Sequence, residues 1–147
     1  MRWSDVQGLK VISRESAEQV GEVRGLVVDP QARTITAVQV TGKKKGEIVS
    51  WERFTGLGPD VAVLDDEEAV RAPSGELETA AVHGEADPIG KRLLTDHGDA
   101  FGTVQDLEFD RDSGALTALI SEREEVGADR LRAIGSYAAV VAAPSDR

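Results

Sequence analysis

The sequence predicts an all-β protein built from two tandem small antiparallel β-barrels. Two observations carry this reading. Gly21-Glu22-Val23-Arg24-Gly25-Leu26-Val27-Val28-Asp29 returns as Gly102-Thr103-Val104-Gln105-Asp106-Leu107-Glu108-Phe109-Asp110. The spacing of 81 residues holds through Ile35-Thr36-Ala37-Val38 and Leu116-Thr117-Ala118-Leu119. A unit that recurs in order signals an architecture of repeats. The second observation is the punctuation: short runs rich in Val, Ile and Thr are separated by turn residues at close intervals, as in small barrels and sandwiches.

Copy one spans residues 1–72. Its expected strands are Lys10–Ser13, Val20–Asp29, Thr34–Thr41, Glu47–Ser50 and Val61–Asp65, separated by Asp29-Pro30, Gly42 and Gly56-Leu57-Gly58-Pro59. In the second strand the positions apolar in both copies are 23, 26 and 28. A flat half-buried strand steps by two throughout. A step of three followed by two predicts a bulge or sharp bend near Gly25. Asp106 at the matching place shows that the bend does not require glycine. Glu52-Arg53-Phe54 is expected to form a helical turn whose apolar member plugs one end of the barrel. Asp65-Asp66-Glu67-Glu68 favours a brief helix start, because acids suit the positive end of the helix dipole.

Residues 73–87 carry four acids and no Lys or Arg and read as an acidic linker. Copy two spans 88–147, with strands expected at Arg92–Thr95, Phe101–Asp110, Ala115–Glu122, Glu124–Val126 and Ala138–Ala142. Asp129-Arg130-Leu131 matches Glu52-Arg53-Phe54 at a spacing of 77, so four residues separate the copies between the third and fourth strands. Such length changes fall in exposed loops. The longer loop holds Lys43-Lys44-Lys45 between two glycines.

The chain has 147 residues, a formal charge of -10 and no cysteine. A unit of roughly 60 residues buries only about 60% of its unfolded surface, so the copies are expected to pack on each other or on a partner. Neither disulfides nor thiolate metal sites are available. The acidity opposes direct nucleic-acid binding and docking on anionic lipid. No apolar stretch approaches the ~20 residues of a membrane span, and the opening residues lack the apolar core of a signal peptide. Membrane insertion is therefore not expected, and the cytoplasm is the default compartment.

No catalytic, cofactor or metal constellation emerges. Asp110-Arg111-Asp112-Ser113-Gly114 resembles the opening of a calcium loop, but its glycine comes one place early and Ser121 stands where a bidentate Glu is needed. Turn chemistry is the expectation there. His83 and His97 lack paired spacing and read as surface residues. Two features of copy one have no counterpart in copy two. Lys43, Lys44 and Lys45 are a basic cluster suited to an acidic partner or a phosphate. Trp51 stands where copy two has Ala128; tryptophan is enriched at interfaces, or it covers the barrel mouth or fills the seam between the copies. These four residues are the partner-binding candidates.

The repeated pattern resembles the PRC-barrel family. The residues carrying the resemblance are Gly8-Leu9-Lys10-Val11, Gly21 to Asp29, Thr36-Ala37-Val38, Val49-Ser50-Trp51 and Leu57-Gly58, with a second set from Ile89-Gly90 to Val141. Gly25 departs from the pattern, which more often carries Asp there; Asp106 keeps it. The resemblance implies a compact barrel used for docking rather than catalysis. The same barrel forms the cytoplasmic domain of the photosynthetic reaction-centre H subunit and the C-terminal domain of the ribosome maturation factor RimM. The expectation is a non-enzymatic adaptor or scaffold with a protein partner and no cofactor. Homo-oligomerisation is open. The alternative is an accessory factor in ribosome assembly or RNA processing, by analogy with RimM.

Overall fold

The computed structural model describes residues 1–42, 48–85 and 87–144. Unit one contains β1 (Lys10–Ser13), β2 (Gln19–Asp29), β3 (Thr34–Thr41), β4 (Ile48–Ser50), β5 (Phe54–Leu57) and β6 (Val61–Leu64). A helix, α1 (Gly75–Val82), follows. Unit two contains β7 (Arg92–Thr95), β8 (Ala100–Phe109), β9 (Leu116–Ser121), β10 (Glu125–Gly127), β11 (Leu131–Ile134) and β12 (Ala138–Val141). The strands form two six-stranded sheets of the same order, β4-β3-β2-β1-β6-β5 and β10-β9-β8-β7-β12-β11.

The chain is mostly β, as expected, but the sheets are not closed barrels. Among the described strands, β4 and β5 end the first sheet and do not pair with each other, and β10 and β11 end the second in the same way. Nor is the pairing wholly antiparallel. β1 runs parallel to β6, and β7 parallel to β12. Parallel neighbours need a crossover, here supplied by the four intervening strands.

The bend in the second strand lies where the apolar spacing places it. Register slips between Val23 and Gly25, and again between Val104 and Asp106. A second slip, at Val27/Val28, recurs at Glu108/Phe109. Two bulges let one long strand turn enough to bury Val23, Leu26 and Val28 against one core.

Three expectations on local structure need correction. The turn before the last hairpin is one residue early, at Trp51–Arg53 and Ala128–Arg130. Phe54 and Leu131 then open strands β5 and β11, which the sequence reading passed over. The acidic run after β6 yields a single 3-10 turn, Glu67–Ala69, capped by Asp66 accepting from the Glu68 amide at 3.0 Å. Residues 73–87 are not a bare linker, since α1 occupies their middle. Its Ala81 is buried with Val27, Ala37 and Ile48, and Leu77, Ala80 and Val82 pack against them. The helix covers the outer face of the first sheet.

The main core is continuous across the units. It joins Trp3, Val11, Leu26, Val38 and Trp51 of unit one to Val104, Leu107, Phe109, Leu119 and Leu131 of unit two.

Candidate functional site

The seam between the units is built from equivalent residues meeting each other. Thr34 forms an antiparallel bridge with Ala115, its counterpart 81 residues on. The Ile35 amide donates to Gly114 O at 2.8 Å, and the Leu116 amide donates to Arg33 O at 2.9 Å. Each bond is the other with the partners exchanged. Equivalent residues meeting reciprocally define a twofold relation, as in an isologous dimer. Simple translation cannot produce this pattern.

Each unit also lends its leading segment to the other. The opening turn, Trp3–Asp5, packs on β8 with Trp3 buried. Met1 and Phe109 exchange bonds, the terminal ammonium donating to Phe109 O at 3.1 Å and the Phe109 amide to Met1 O at 2.9 Å. Asp106, at the bulge of unit two, accepts from the Ser4 amide at 3.0 Å, the Ser4 hydroxyl at 2.6 Å and the Leu107 amide at 2.9 Å.

At the bulge of unit one, Gly25 takes the place of Asp106, and the carboxylate arrives from elsewhere. Asp87, from the segment leading into unit two, accepts from the Ile89 amide at 2.9 Å and from the Leu26 amide. Leu26 is the counterpart of Leu107. A Cβ on Gly25 would lie 3.1 Å from the Asp87 Oδ2 and 2.8 Å from the Gln39 Oε1. The glycine clears room for a carboxylate supplied by the other unit. Burial pushes the Asp87 carboxyl above its ordinary range, against the two amide bonds and the nearby Lys91 charge.

The partner-binding candidates fall apart spatially. Trp51 is only 6% exposed. Its ring meets Phe109 edge-on, with centroids 5.4 Å apart, and Phe54 at 5.9 Å. Its indole N–H donates to Arg111 O at 3.1 Å. Trp51 therefore fills the seam and does not face a partner as an exposed side chain. Its counterpart Ala128 marks where the seam departs from exact symmetry. Lys43, Lys44 and Lys45 lie outside the described residues.

The remaining polar residues do local work. Asp110 accepts from the amides of Asp112 and Ser113, and Asp29 from those of Gln31 and Ala32. Those are turn bonds, and they hold the Asp110 carboxyl below its ordinary range. His83 ends α1 with its Nδ1 2.9 Å from Thr79 O, and His97 is exposed in its turn. Among the described residues, no three His, Cys, Asp or Glu side chains converge to hold a metal ion.

What the sequence reading missed is a groove beside Trp51. A cleft of about 600 Å³ lies between β5 and the turn after β8, lined by Trp51, Phe54, the 55–58 backbone, Arg111 and Asp112. Past Arg111 a second hollow of about 360 Å³ continues to Pro59, Asp5 and Met1. Arg111 Nη1 donates to Leu57 O at 3.3 Å between them. Its sequence signal was faint, because β5 reads as a turn: Gly56 and Gly58 flank Leu57.

Residues 1–71 match the family model of the PRC-barrel domain. The first unit is a member of the PRC-barrel family. No curated protein matches the chain. Among the described residues no helix is long and apolar enough to cross a membrane.

Proposed function

We propose that this PRC-barrel protein is a non-enzymatic adaptor in which two barrel-like units form one rigid body that docks a protein partner. On this reading the second unit is a diverged PRC barrel, and the pair is an internal dimer. The observation that carries the proposal is the reciprocal seam. It commits Asp87, Asp106 and the Trp51 N–H to holding the units together. The outward sheet edges and the outer face of the second sheet are left to meet other molecules. Surface features also differ between the units, which suits an asymmetric partner. Tyr137 of unit two is 68% exposed, with the Arg92 guanidinium 5.8 Å from its ring centre; exposed aromatics beside arginine are frequent interface anchors.

The test is site-specific photo-crosslinking in the source cells, with the reactive group placed in turn at Thr55, Glu125 and Tyr137. One or a few discrete protein adducts are expected from at least one position. Absence of adducts from every surface position, together with turnover of a small molecule by the purified chain, would contradict the adaptor reading.

A further inference from the structure

The two grooves of the seam are equivalent in the fold but filled differently. Beside β11, the hairpin of unit one closes the edge: Arg33 Nε donates to Leu131 O at 3.2 Å, and Gln31 Nε2 reaches Arg132 O at 3.4 Å. The counterparts of Leu131 and Arg132 are Phe54 and Thr55. The residues facing them, counterparts of Arg33 and Gln31, are Gly114 and Asp112. Gly114 has no side chain to offer, and a Cβ there would press on the Trp51 ring at 3.2 Å and on Ile35 O at 2.7 Å. Asp112 carries no donor. Among the described residues, no side chain of this turn donates to Phe54 O or Thr55 O. The result is an open groove along an edge strand, where its mate is sealed.

We propose that this groove docks an extended, arginine-bearing segment of a partner protein along the β5 edge. The proposal rests on the adaptor reading and supplies its site and the chemistry of its partner. The chain itself displays the chemistry that fits. In the sealed groove, a guanidinium and an amide donate to the edge carbonyls. The open groove reinforces the choice by charge. Glu52 and Asp112 are exposed on its lining, and Asp5 lines its continuation. Among the described residues the basic groups lining the two hollows are Arg111, already engaged by Leu57 O, and the Met1 ammonium, already engaged by Phe109 O. An acidic guest would meet these carboxylates unfavourably, whereas a guanidinium gains them as partners. The half-buried Phe54 ring adds a surface on which a guanidinium stacks better than an ammonium. Edge-strand addition supplies affinity through the backbone, with side-chain pockets giving specificity.

The probe is a short fluorescein-labelled peptide of alternating Thr and Arg, with a Lys version beside it, titrated against the intact chain. Saturable anisotropy is expected, stronger for Arg than for Lys, with amide shifts concentrated at residues 55–58. The paired change Glu52→Arg and Asp112→Arg should weaken binding about tenfold or more. Glu125→Arg, together with Glu124→Arg, makes the same charge change at β10 and should leave binding within about twofold. Equal weakening by both pairs would mean bulk attraction to an acidic chain and would overturn the site. So would shifts centred elsewhere, no saturable binding, or a homodimer that buries β5 in sedimentation. Any of these results, with cross-links to a partner still forming at Glu125 or Tyr137, would remove this groove and leave the adaptor reading standing.

Discussion

At the scale of single residues, the two bulges satisfy the same amide in two ways. Leu107 takes the carboxylate of its neighbour Asp106, while Leu26 takes one brought from 61 residues further along, Asp87. Asp87→Ala strips the acceptor from the Leu26 and Ile89 amides and should cost about 1–3 kcal/mol. Gly25→Asp alone should also destabilise, because it crowds Asp87 and Gln39. Combined with Asp87→Ala, it should cost less than the sum of the two, because the new side chain restores the arrangement of unit two. A double-mutant cycle in urea reads this coupling; strict additivity would contradict it. The pH dependence follows from the direction of the Asp87 shift. The folded state holds that proton more tightly than the unfolded chain does. The stability contributed by this group is therefore lowest at neutral pH and rises as pH falls through the raised value. Asp87→Asn should remove that trend, seen as a smaller gap between variant and native midpoints at neutral pH than in acid.

At the scale of elements, α1 shows what was legible and what was not. Its own sequence, Gly75-Glu76-Leu77-Glu78-Thr79-Ala80-Ala81-Val82, is small and acidic and reads as linker. The signal lay in the sheet beneath it. Val27 and Ile48 are apolar where unit two has Glu108 and Glu125. An outward face that is apolar in one copy only needs a cover in that copy only. The bulge, by contrast, was legible because the break in apolar spacing occurs in both copies. Strands β5 and β11 were not, since glycines and a turn-like charge pair hide a four-residue edge strand. The helix is held by Arg71, which donates to Glu78 at 2.6 and 2.8 Å and to the Ser50 hydroxyl at 2.8 Å. Its backbone also bridges Ile48. The bonds from Arg71 keep the Glu78 carboxyl below its ordinary range. An acid depressed in the folded state stabilises above its ordinary value and loses that contribution as pH falls through the depressed one. Glu78→Gln should therefore lower stability at neutral pH, by about 1 kcal/mol for a partly exposed pair, with the difference vanishing in acid. Ile48→Ala, beneath the helix, should cost about 2–5 kcal/mol. Glu125→Ala, at the uncovered counterpart, should stay within about 0.5 kcal/mol. Thermal or urea unfolding separates these two outcomes.

At the scale of the whole molecule, two units that would each be marginal share one core and one set of reciprocal bonds. The repeat predicted that they pack together, but not how. The choice between translation and a twofold required the meeting of Thr34 with Ala115, which no spacing reveals. The sharing makes a prediction about cooperativity. Phe109 belongs to unit two but packs edge-on against Trp51 of unit one, so its loss is felt on both sides. Phe109→Ala should cost about 3–5 kcal/mol. If the seam makes one body of two units, that cost must appear everywhere. Native-state hydrogen exchange on Phe109→Ala is the direct measurement. The account predicts that the slowest amides of β2 and β3 in unit one lose as much protection as those of β8 and β9 in unit two. Loss confined to unit two, with unit one protected as before, would contradict it.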